Sequence, residues 1–301
     1  MDKTDILVIG AGPAGLSAAS YAARAGYSVT AIDQLSPGGQ LLLIDEIENY
    51  PGLPLTKGYK LAEDMENQAV LFGAKVEYTA LSAIRKEGEG RFIALTDSGE
   101  IEAKAVIIAT GADHRHLGVK GEEENQGKGV SYCATCDGPF FKGKDVVVVG
   151  GGDTALTDAI YLSKIAKSVT VVHRRNEFRA QKALQDRLSS CANIRTKLSC
   201  NVIEILSDGK KVVGAKLDTG ETLDADAVFV FVGIVPNSSL FSGFVDLDKN
   251  GFIITNGRME TSLEGVFAAG DVRTTPFRQV ATAAADGAIA AHSADEYISN
   301  L

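Results

Sequence analysis

Near its start the chain reads ILVIGAGPAG, at residues 6–15. Residues 6–9 are all apolar and predict a buried strand, and residues 10–15 follow as G-x-G-x-x-G. In such a turn the first glycine permits a tight bend, the second lets the backbone approach a pyrophosphate, and the third allows close helix–strand packing. Residues 16–25 continue as a helix-compatible segment, as the motif requires. We therefore predict a dinucleotide-binding turn formed by Gly10, Gly12, Pro13, Ala14 and Gly15.

The same pattern occurs a second time at residues 146–155, which read VVVVGGGDTA. A helix-compatible segment follows again, at residues 156–166. One glycine-rich turn would be weak evidence, but two copies, each between a strand and a helix, are specific. The sequence therefore predicts an α/β protein with two nested Rossmann-like nucleotide-binding domains. We predict that the second turn binds a nucleotide through Gly150, Gly152, Asp153, Thr154 and Ala155.

The end of the second strand distinguishes the two units. Asp33 and His173 each lie 23 positions after the first glycine of their own motif. A carboxylate there can accept a hydrogen bond from a ribose 2′-hydroxyl, but it would repel a 2′-phosphate. His173 is instead followed by Arg174, Arg175 and Arg179, and guanidinium groups suit a phosphate dianion. A solvated charge run is the alternative, but the placement favours FAD at the first site and NADPH at the second.

Two further apolar runs support an FAD site in the first unit. Residues 106–111, VIIATG, predict a strand that ends in a small-residue turn at Thr110 and Gly111. Residues 265–271, GVFAAGD, repeat this design and end at Gly270 and Asp271. In a flavoprotein such an aspartate can accept a ribityl hydroxyl hydrogen bond. It could also cap the following helix, and the two roles are compatible.

The positions of these motifs give the domain order. The first unit opens at residue 1 and closes near residue 270, and the second lies between these points. We therefore predict an FAD-binding domain at 1–113 and 244–301, with an NADPH-binding domain inserted at 114–243.

Composition limits the partners. The chain has 301 residues, 45% of them hydrophobic, and a formal net charge of −9. This charge argues against nucleic acid and against an anionic membrane surface, since both require a basic face. No basic stretch with an apolar signal core precedes residue 6, so we expect a cytoplasmic protein without export.

Cys133 and Cys136 form a Cys-X-X-Cys pair just before the second glycine turn. A zinc site would need two more ligands, and Cys191 and Cys200 do not form a second such motif, so we expect no metal. Buried structural thiols are a further alternative. A redox-active dithiol is favoured beside two nucleotide sites. Asp137 could then protonate a departing thiolate if burial raises its pKa, although a turn or capping role is also open.

Over nearly its whole length the sequence resembles the low-molecular-weight thioredoxin reductases. Besides both glycine turns and the cysteine pair, the resemblance rests on short stretches at 38–40, 48–52, 109–111, 173–180, 268–271 and 278–280. It implies that the flavin site also includes Gly38, Gly39, Gln40, Asn49, Arg278, Gln279 and Val280.

The resemblance further implies noncovalent FAD, a homodimer, and thioredoxin as the substrate. In the family the second cysteine, here Cys136, faces the flavin, and the first, Cys133, attacks the thioredoxin disulfide. Two departures are visible: Pro139 stands where many members have an aromatic residue, and Val280 replaces a common alanine. The first could alter the surface on which thioredoxin docks.

Three other functions compete with this interpretation. A dithiol oxidase of similar fold passes electrons to oxygen and does not need the second glycine turn or its arginines. A ferredoxin–NADP reductase would lack the cysteine pair. A flavin-binding sensor would need neither the pair nor NADPH. Consumption of NADPH on addition of thioredoxin would distinguish them.

Overall fold

The computed structural model describes residues 1–44 and 46–301, which divide into two compact units. The split unit comprises residues 1–113 and 235–301, and the inserted unit comprises residues 114–234. The chain enters the inserted unit between Asp113 and His114. It leaves between Ile234 and Val235, whereas the sequence-based boundary lies further along, between residues 243 and 244.

The split unit is built on one seven-stranded sheet with the order β3-β2-β1-β6-β5-β4 and with β17 paired to β6. Strands β1, β2, β3, β6 and β17 pair in parallel, and β4 and β5 extend the sheet as antiparallel strands. The strands are β1 (Asp2–Ile9), β2 (Val29–Asp33), β3 (Lys75–Tyr78), β4 (Leu81–Gly88), β5 (Arg91–Thr96), β6 (Gly99–Ile108) and β17 (Val266–Ala268). The helices are α1 (Pro13–Arg24), α2 (Gly58–Leu71) and α6 (Val280–Ser299).

The inserted unit contains a five-stranded parallel sheet with the order β11-β10-β9-β15-β8 and a separate antiparallel sheet, β12-β13-β14. The strands are β8 (Val130–Ser131), β9 (Asp145–Gly150), β10 (Ser168–His173), β11 (Ile194–Leu198), β12 (Val202–Ser207), β13 (Val212–Leu217), β14 (Thr222–Asp224) and β15 (Ala227–Phe231). The helices are α3 (Ala134–Asp137), α4 (Asp153–Ser163) and α5 (Lys182–Ser189). Strands β7 (Ala112–His114) and β16 (Ile234–Pro236) mark the two crossings and pair with each other.

The predicted α/β architecture is confirmed, and both glycine turns lie between a parallel strand and a helix. The helices α1 and α4 begin at Pro13 and Asp153, earlier than the apolar pattern suggested. Gly12 and Gly152 are the residues that precede the first helical turns. Proline at the first helical position is favourable because its missing N–H would have no helical partner there.

Small residues allow the helices of the split unit to pack closely. A Cβ atom at Gly287 on α6 would collide with the carbonyl oxygen of Ala14 on α1. The buried face of α6 contains mainly alanine, which permits this short approach. Within the described ranges, no helix combines the length and the apolar character that crossing a bilayer requires.

Candidate active site

The first glycine turn forms a cradle at the carboxyl end of β1. Gly10 has φ +103°, and a Cβ atom there would collide with the carbonyl of Ala109. Gly12 precedes α1, and no atom lies within 4 Å of the position that its Cβ would occupy. The free backbone N–H groups at the start of α1 therefore face open space, which is the geometry that binds a phosphate.

Residues 38–40 close over this cradle. The N–H of Gly38 donates to the Ala11 carbonyl oxygen at 2.7 Å. The Cβ position of Gly39 lies 3.4 Å from the Cα of Gly12, so the two turns are in van der Waals contact. Gln40 donates from Nε2 to Oδ1 of Asp113 at 2.8 Å. The turn expected from the family resemblance therefore lies beside the first glycine turn.

Asp33 at the end of β2 already serves the backbone of the cradle. Its Oδ2 accepts the N–H of Ala11 at 2.8 Å, and its Oδ1 accepts the N–H of Leu35 at 3.0 Å. An ionised carboxylate has about four acceptor positions, so capacity for a ribose hydroxyl remains. The carboxylate thus shapes the turn through these two backbone contacts.

The element at Gly270 and Asp271 joins the same site from the carboxyl-terminal segment. The N–H of Ala269 donates to the Ile108 carbonyl at 2.9 Å, which continues the pairing of β17 with β6. A Cβ atom at Gly270 would lie 2.8 Å from the Cβ of Ala14, so only glycine fits there. Burial raises the pKa of Asp271 to about 6, opposed by Arg278 and reinforced by Asp286.

A buried ion pair that the sequence analysis missed supports this element. Asp286 on α6 accepts from Arg273 Nε at 2.7 Å and from Arg273 Nη2 at 2.9 Å. Its Oδ2 also accepts the N–H of Gly270 at 3.1 Å. The only available signal was one acidic residue within an alanine-rich helical run.

The remaining residues expected at the flavin lie around the start of α6. Asn49 donates from Nδ2 to Oε1 of Gln279 at 3.1 Å, and Gln279 immediately precedes the helix, which begins at Val280. The Arg278 guanidinium carbon lies 4.2 Å from the ring centroid of Phe252, a cation–π contact.

Thr110 and Gly111, which follow β6, bind the returning chain. Thr110 donates from its hydroxyl to the carbonyl of Asn237 at 2.6 Å. The N–H of Asn237 donates in turn to the Gly111 carbonyl at 3.0 Å. This turn therefore binds the segment that follows the second crossing.

The second glycine turn is built in the same way at the end of β9. A Cβ atom at Gly150 would collide with the carbonyl of Phe231 and would crowd Ala155. Gly152 precedes α4 and again has no atom within 4 Å of its Cβ position. Asp153 accepts the N–H of Gln181 through Oδ1 at 2.8 Å, which ties the loop after the basic cluster to this turn.

His173 packs directly beneath this turn. Its side chain is 5% exposed, stacks on Phe178 with ring centroids 5.6 Å apart, and leaves no room for a Cβ atom at Gly151. Burial and the charge of Arg179 lower its pKa, so the ring is neutral near pH 7. Within the described residues, its Nε2 is buried without a hydrogen-bond partner, which makes it available to a bound group.

Arg174, Arg175 and Arg179 are exposed around the same turn. The N–H of Arg179 donates to the Gly151 carbonyl at 2.8 Å, which brings the cluster to the second glycine turn. Across residues 1–44 and 46–301, none of the three forms an ion pair with a carboxylate. Their charges are therefore available to an anionic ligand.

Cys133 and Cys136 form a disulfide at the start of the short helix α3, with their Cα atoms 5.3 Å apart. Cys133 directly precedes the helix, and the N–H of Cys136 points to its sulfur at 3.2 Å. The N–H of Cys133 donates to the Ser131 hydroxyl oxygen at 3.1 Å.

Asp137 lies one residue beyond the disulfide and is partly buried. Burial raises the pKa of its carboxyl group, and a hydrogen bond with Ser131 works in the opposite direction. The group therefore keeps its proton to a higher pH than an exposed aspartate. Ser131 contacts both Cys133 and Asp137, a role that the sequence did not indicate.

A buried carboxylate, Glu122, anchors the segment between β8 and Cys133 through Tyr132. Glu122 is 1% exposed and accepts the N–H groups of Leu117 and Gly118 at 2.9 and 2.8 Å. It also accepts the hydroxyl of Tyr132 at 2.9 Å, and that hydroxyl lies 2.8 Å from Nδ1 of His116.

In the part of the chain that the structure describes, no group of three or more His, Cys, Asp or Glu side chains could hold a metal ion.

The sequence and the fold both have clear relatives. The family model for pyridine nucleotide-disulphide oxidoreductases matches residues 4–287. The thioredoxin reductase of Treponema pallidum (strain Nichols) is 47% identical, and the match covers 99% of this chain and 98% of that protein. The crystal structure of thioredoxin reductase from Streptococcus pyogenes MGAS5005 is similar with a TM-score of 0.95 and 43% identity, covering 99% of each chain. The thioredoxin reductase from Giardia duodenalis is similar with a TM-score of 0.94 and 36% identity, covering 99% of this chain and 100% of that one.

Proposed function

The chain belongs to the thioredoxin reductases of the pyridine nucleotide-disulphide oxidoreductase family, and we propose that it carries electrons from NADPH through FAD and the Cys133–Cys136 disulfide to thioredoxin. One arrangement carries the proposal. A disulfide lies at the start of a helix, beside a buried acid, in the same unit as a glycine turn surrounded by free arginines. Neither a simple nucleotide-binding protein nor a sensor needs all of these features.

The split unit suits FAD. The open space at Gly12 accepts a pyrophosphate, and Asp33 offers acceptor oxygens to a ribose without a phosphate. Asp271 and the start of α6, at Gln279 and Val280, would hold the remainder of the cofactor. The raised pKa of Asp271 reflects a desolvated carboxyl group, which benefits from a hydroxyl donor.

The inserted unit suits NADPH. Gly152 leaves the start of α4 open for the pyrophosphate, and Nε2 of His173, which has no hydrogen-bond partner in the described residues, lies beneath the same turn. Arg174, Arg175 and Arg179 would provide the charge that recognises the 2′-phosphate.

The chemistry ends at the cysteine pair. FAD, when bound, would supply the two-electron transfer from NADPH to the Cys133–Cys136 disulfide. Reduction breaks the sulfur–sulfur bond and yields two thiolates. Asp137 supplies a proton to one of them, since burial raises the pKa of its carboxyl group. The free Cys133 thiolate then attacks the thioredoxin disulfide to form a mixed disulfide. Cys136 displaces reduced thioredoxin and restores the intramolecular bond.

The docking surface for thioredoxin lies next to the pair. Pro139 is exposed and Phe140 is 47% exposed, directly after Asp137 and Gly138. An exposed aromatic side chain beside a reactive cysteine is a suitable anchor for a protein partner. Proline reduces the apolar area at the adjacent position relative to an aromatic residue.

The proposal includes a homodimer and a cytoplasmic location. Helices α1, α2 and α6 border a groove of about 440 Å³, and exposed Tyr21, Tyr59 and Leu71 lie on α1 and α2. A second copy could cover this apolar area, and sedimentation would show a mass of two chains. A cytoplasmic location fits the chemistry, because thioredoxin keeps thiols reduced in that compartment.

Stopped-flow absorbance tests the whole sequence of events. NADPH should bleach the bound flavin, and oxidised thioredoxin should restore its colour without oxygen. A flavin that NADPH reduces but that only oxygen reoxidises would contradict the proposal and favour a dithiol oxidase. Absence of flavin after addition of FAD would exclude the two-nucleotide scheme.

A further inference from the structure

The chain makes an unusual turn directly after β11, beside the basic cluster. Ser199 has φ +57°, and in the described ranges Met259 is the one other non-glycine residue with positive φ. Its N–H donates to the Arg175 carbonyl at 3.0 Å. The next N–H, that of Cys200, donates to the His173 carbonyl at 3.3 Å. We call these two residues the clip.

The left-handed conformation of Ser199 is what makes the clip possible. Strands β10 and β11 pair in parallel up to His173 and Leu198. Beyond that point the clip directs two successive N–H groups at carbonyls on either side of Arg174. An L-residue pays a steric penalty for positive φ, and this penalty is greatest for β-branched side chains. The Ser199 side chain is exposed, so packing of that side chain does not explain the conformation.

The other end of the clip is anchored in the core. Cys200 is 3% exposed and lies in an apolar cluster with Val172 and Val202. The clip therefore connects the sheet core to the backbone of the basic cluster. Arg174 and Arg175 are exposed and have no carboxylate partner in the described residues. The direction in which these two side chains leave the backbone is thus set by the segment that the clip holds.

Resting on the proposed function, we propose that Ser199 is a positioning residue for selection of the nucleotide 2′-phosphate. It contacts no part of the nucleotide. It holds the backbone on both sides of Arg174. The guanidinium groups of Arg174 and Arg175 are therefore placed close to the positions from which they would bind the 2′-phosphate. Preorganisation of this kind lowers the ordering cost of binding. Loss of the clip should therefore weaken recognition of the 2′-phosphate and leave the common part of the nucleotide unaffected.

The test uses the FAD-loaded enzyme and isothermal titration with adenosine 2′,5′-bisphosphate and with 5′-AMP. Ser199→Val should weaken binding of the bisphosphate about tenfold, the factor that corresponds to forcing a β-branched residue into the left-handed region. Binding of 5′-AMP should stay within about twofold. Ser199→Asn should resemble the unaltered enzyme, because asparagine tolerates positive φ. Ser207→Val, at the exposed end of β12, is the matched control and should change neither affinity.

Steady-state kinetics provides the second measurement. Ser199→Val should lower kcat/KM for NADPH about tenfold and leave that for NADH nearly unchanged. If Ser199→Val does not fold with FAD, Ser199→Thr takes its place with the same expected direction. Unchanged bisphosphate binding in the β-branched variant, or equal losses for both nucleotides, would overturn the inference. The double variant Arg174→Ala and Arg175→Ala tests the NADPH site separately from the role of Ser199. If this variant keeps its affinity for the bisphosphate, the proposed NADPH site itself is wrong.

Discussion

Replacing Asp286 with alanine should strongly destabilise the split unit. The change removes both carboxylate contacts to Arg273, at 2.7 and 2.9 Å, and the acceptor for the Gly270 N–H. The Arg273 side chain is 13% exposed, and among the described residues it would retain Thr255 Oγ1 and the Thr274 carbonyl as acceptors. Removal of one partner of a buried ion pair costs about 3–5 kcal/mol, which corresponds to a loss of about 6–20 °C in Tm for a unit of this size.

Thermal unfolding of the FAD-loaded protein, followed by circular dichroism, measures this effect. Glu63→Ala is the control, since it removes one exposed partner of Lys60 on α2 and should cost less than about 1 kcal/mol. The double variant Arg273→Met and Asp286→Leu should recover most of the loss, because no buried charge then lacks a partner. If Asp286→Ala and Glu63→Ala lower Tm equally, the ion pair between Arg273 and Asp286 does not stabilise the split unit as described.

Three further results are expected. Arg174→Ala combined with Arg175→Ala should lower kcat/KM for NADPH at least about a hundredfold, because each charge-assisted contact contributes about 1.5–3 kcal/mol; equal losses with NADH would assign the cluster another role. Cys133→Ser and Cys136→Ser should each abolish thioredoxin turnover while NADPH still bleaches the flavin, and turnover in either variant would reveal another electron path. Burial raises the pKa of the Asp137 carboxyl group, so the rate of thioredoxin reduction should decline as this group loses its proton with rising pH. Asp137→Asn should slow reduction of the disulfide about 10²–10⁴-fold and remove this pH dependence. Unchanged rates in this variant would exclude the carboxyl group as the proton donor.

Local motifs predicted the position and backbone geometry of the two glycine turns. Both glycine turns lie at the ends of parallel strands, and both glycines that precede the helices, Gly12 and Gly152, face open space. Such turns are recognisable because the conformation and the lack of a side chain are properties of a few adjacent residues. The apolar patterns of β1 and β9 were equally informative for the same reason.

Contacts between distant segments were not predictable in this way. Asp33 fits the ribose pattern, but its use by the N–H groups of Ala11 and Leu35 depends on how the following loop folds back. The pairing of Arg273 with Asp286 joins the segment after Gly270 and Asp271 to the last helix, α6. Hydrophobic periodicity carries no information about such pairs. The second crossing follows the same rule. Its position is set by pairing of β16 with β7, which short-range composition does not reveal.

The order of segments along the chain has a consequence for synthesis on the ribosome. All strands of the inserted unit lie between residues 130 and 231, so its sheets can assemble as soon as this part of the chain has emerged. The split unit must wait for β17 to pair with β6 and for α6 to pack on α1. Until then the nascent chain exposes the apolar faces of β6 and α1, and long-range closure of this kind is slow. We therefore expect the nascent chain to acquire its NADPH fold before it can retain FAD, and chaperones to be needed most in that interval.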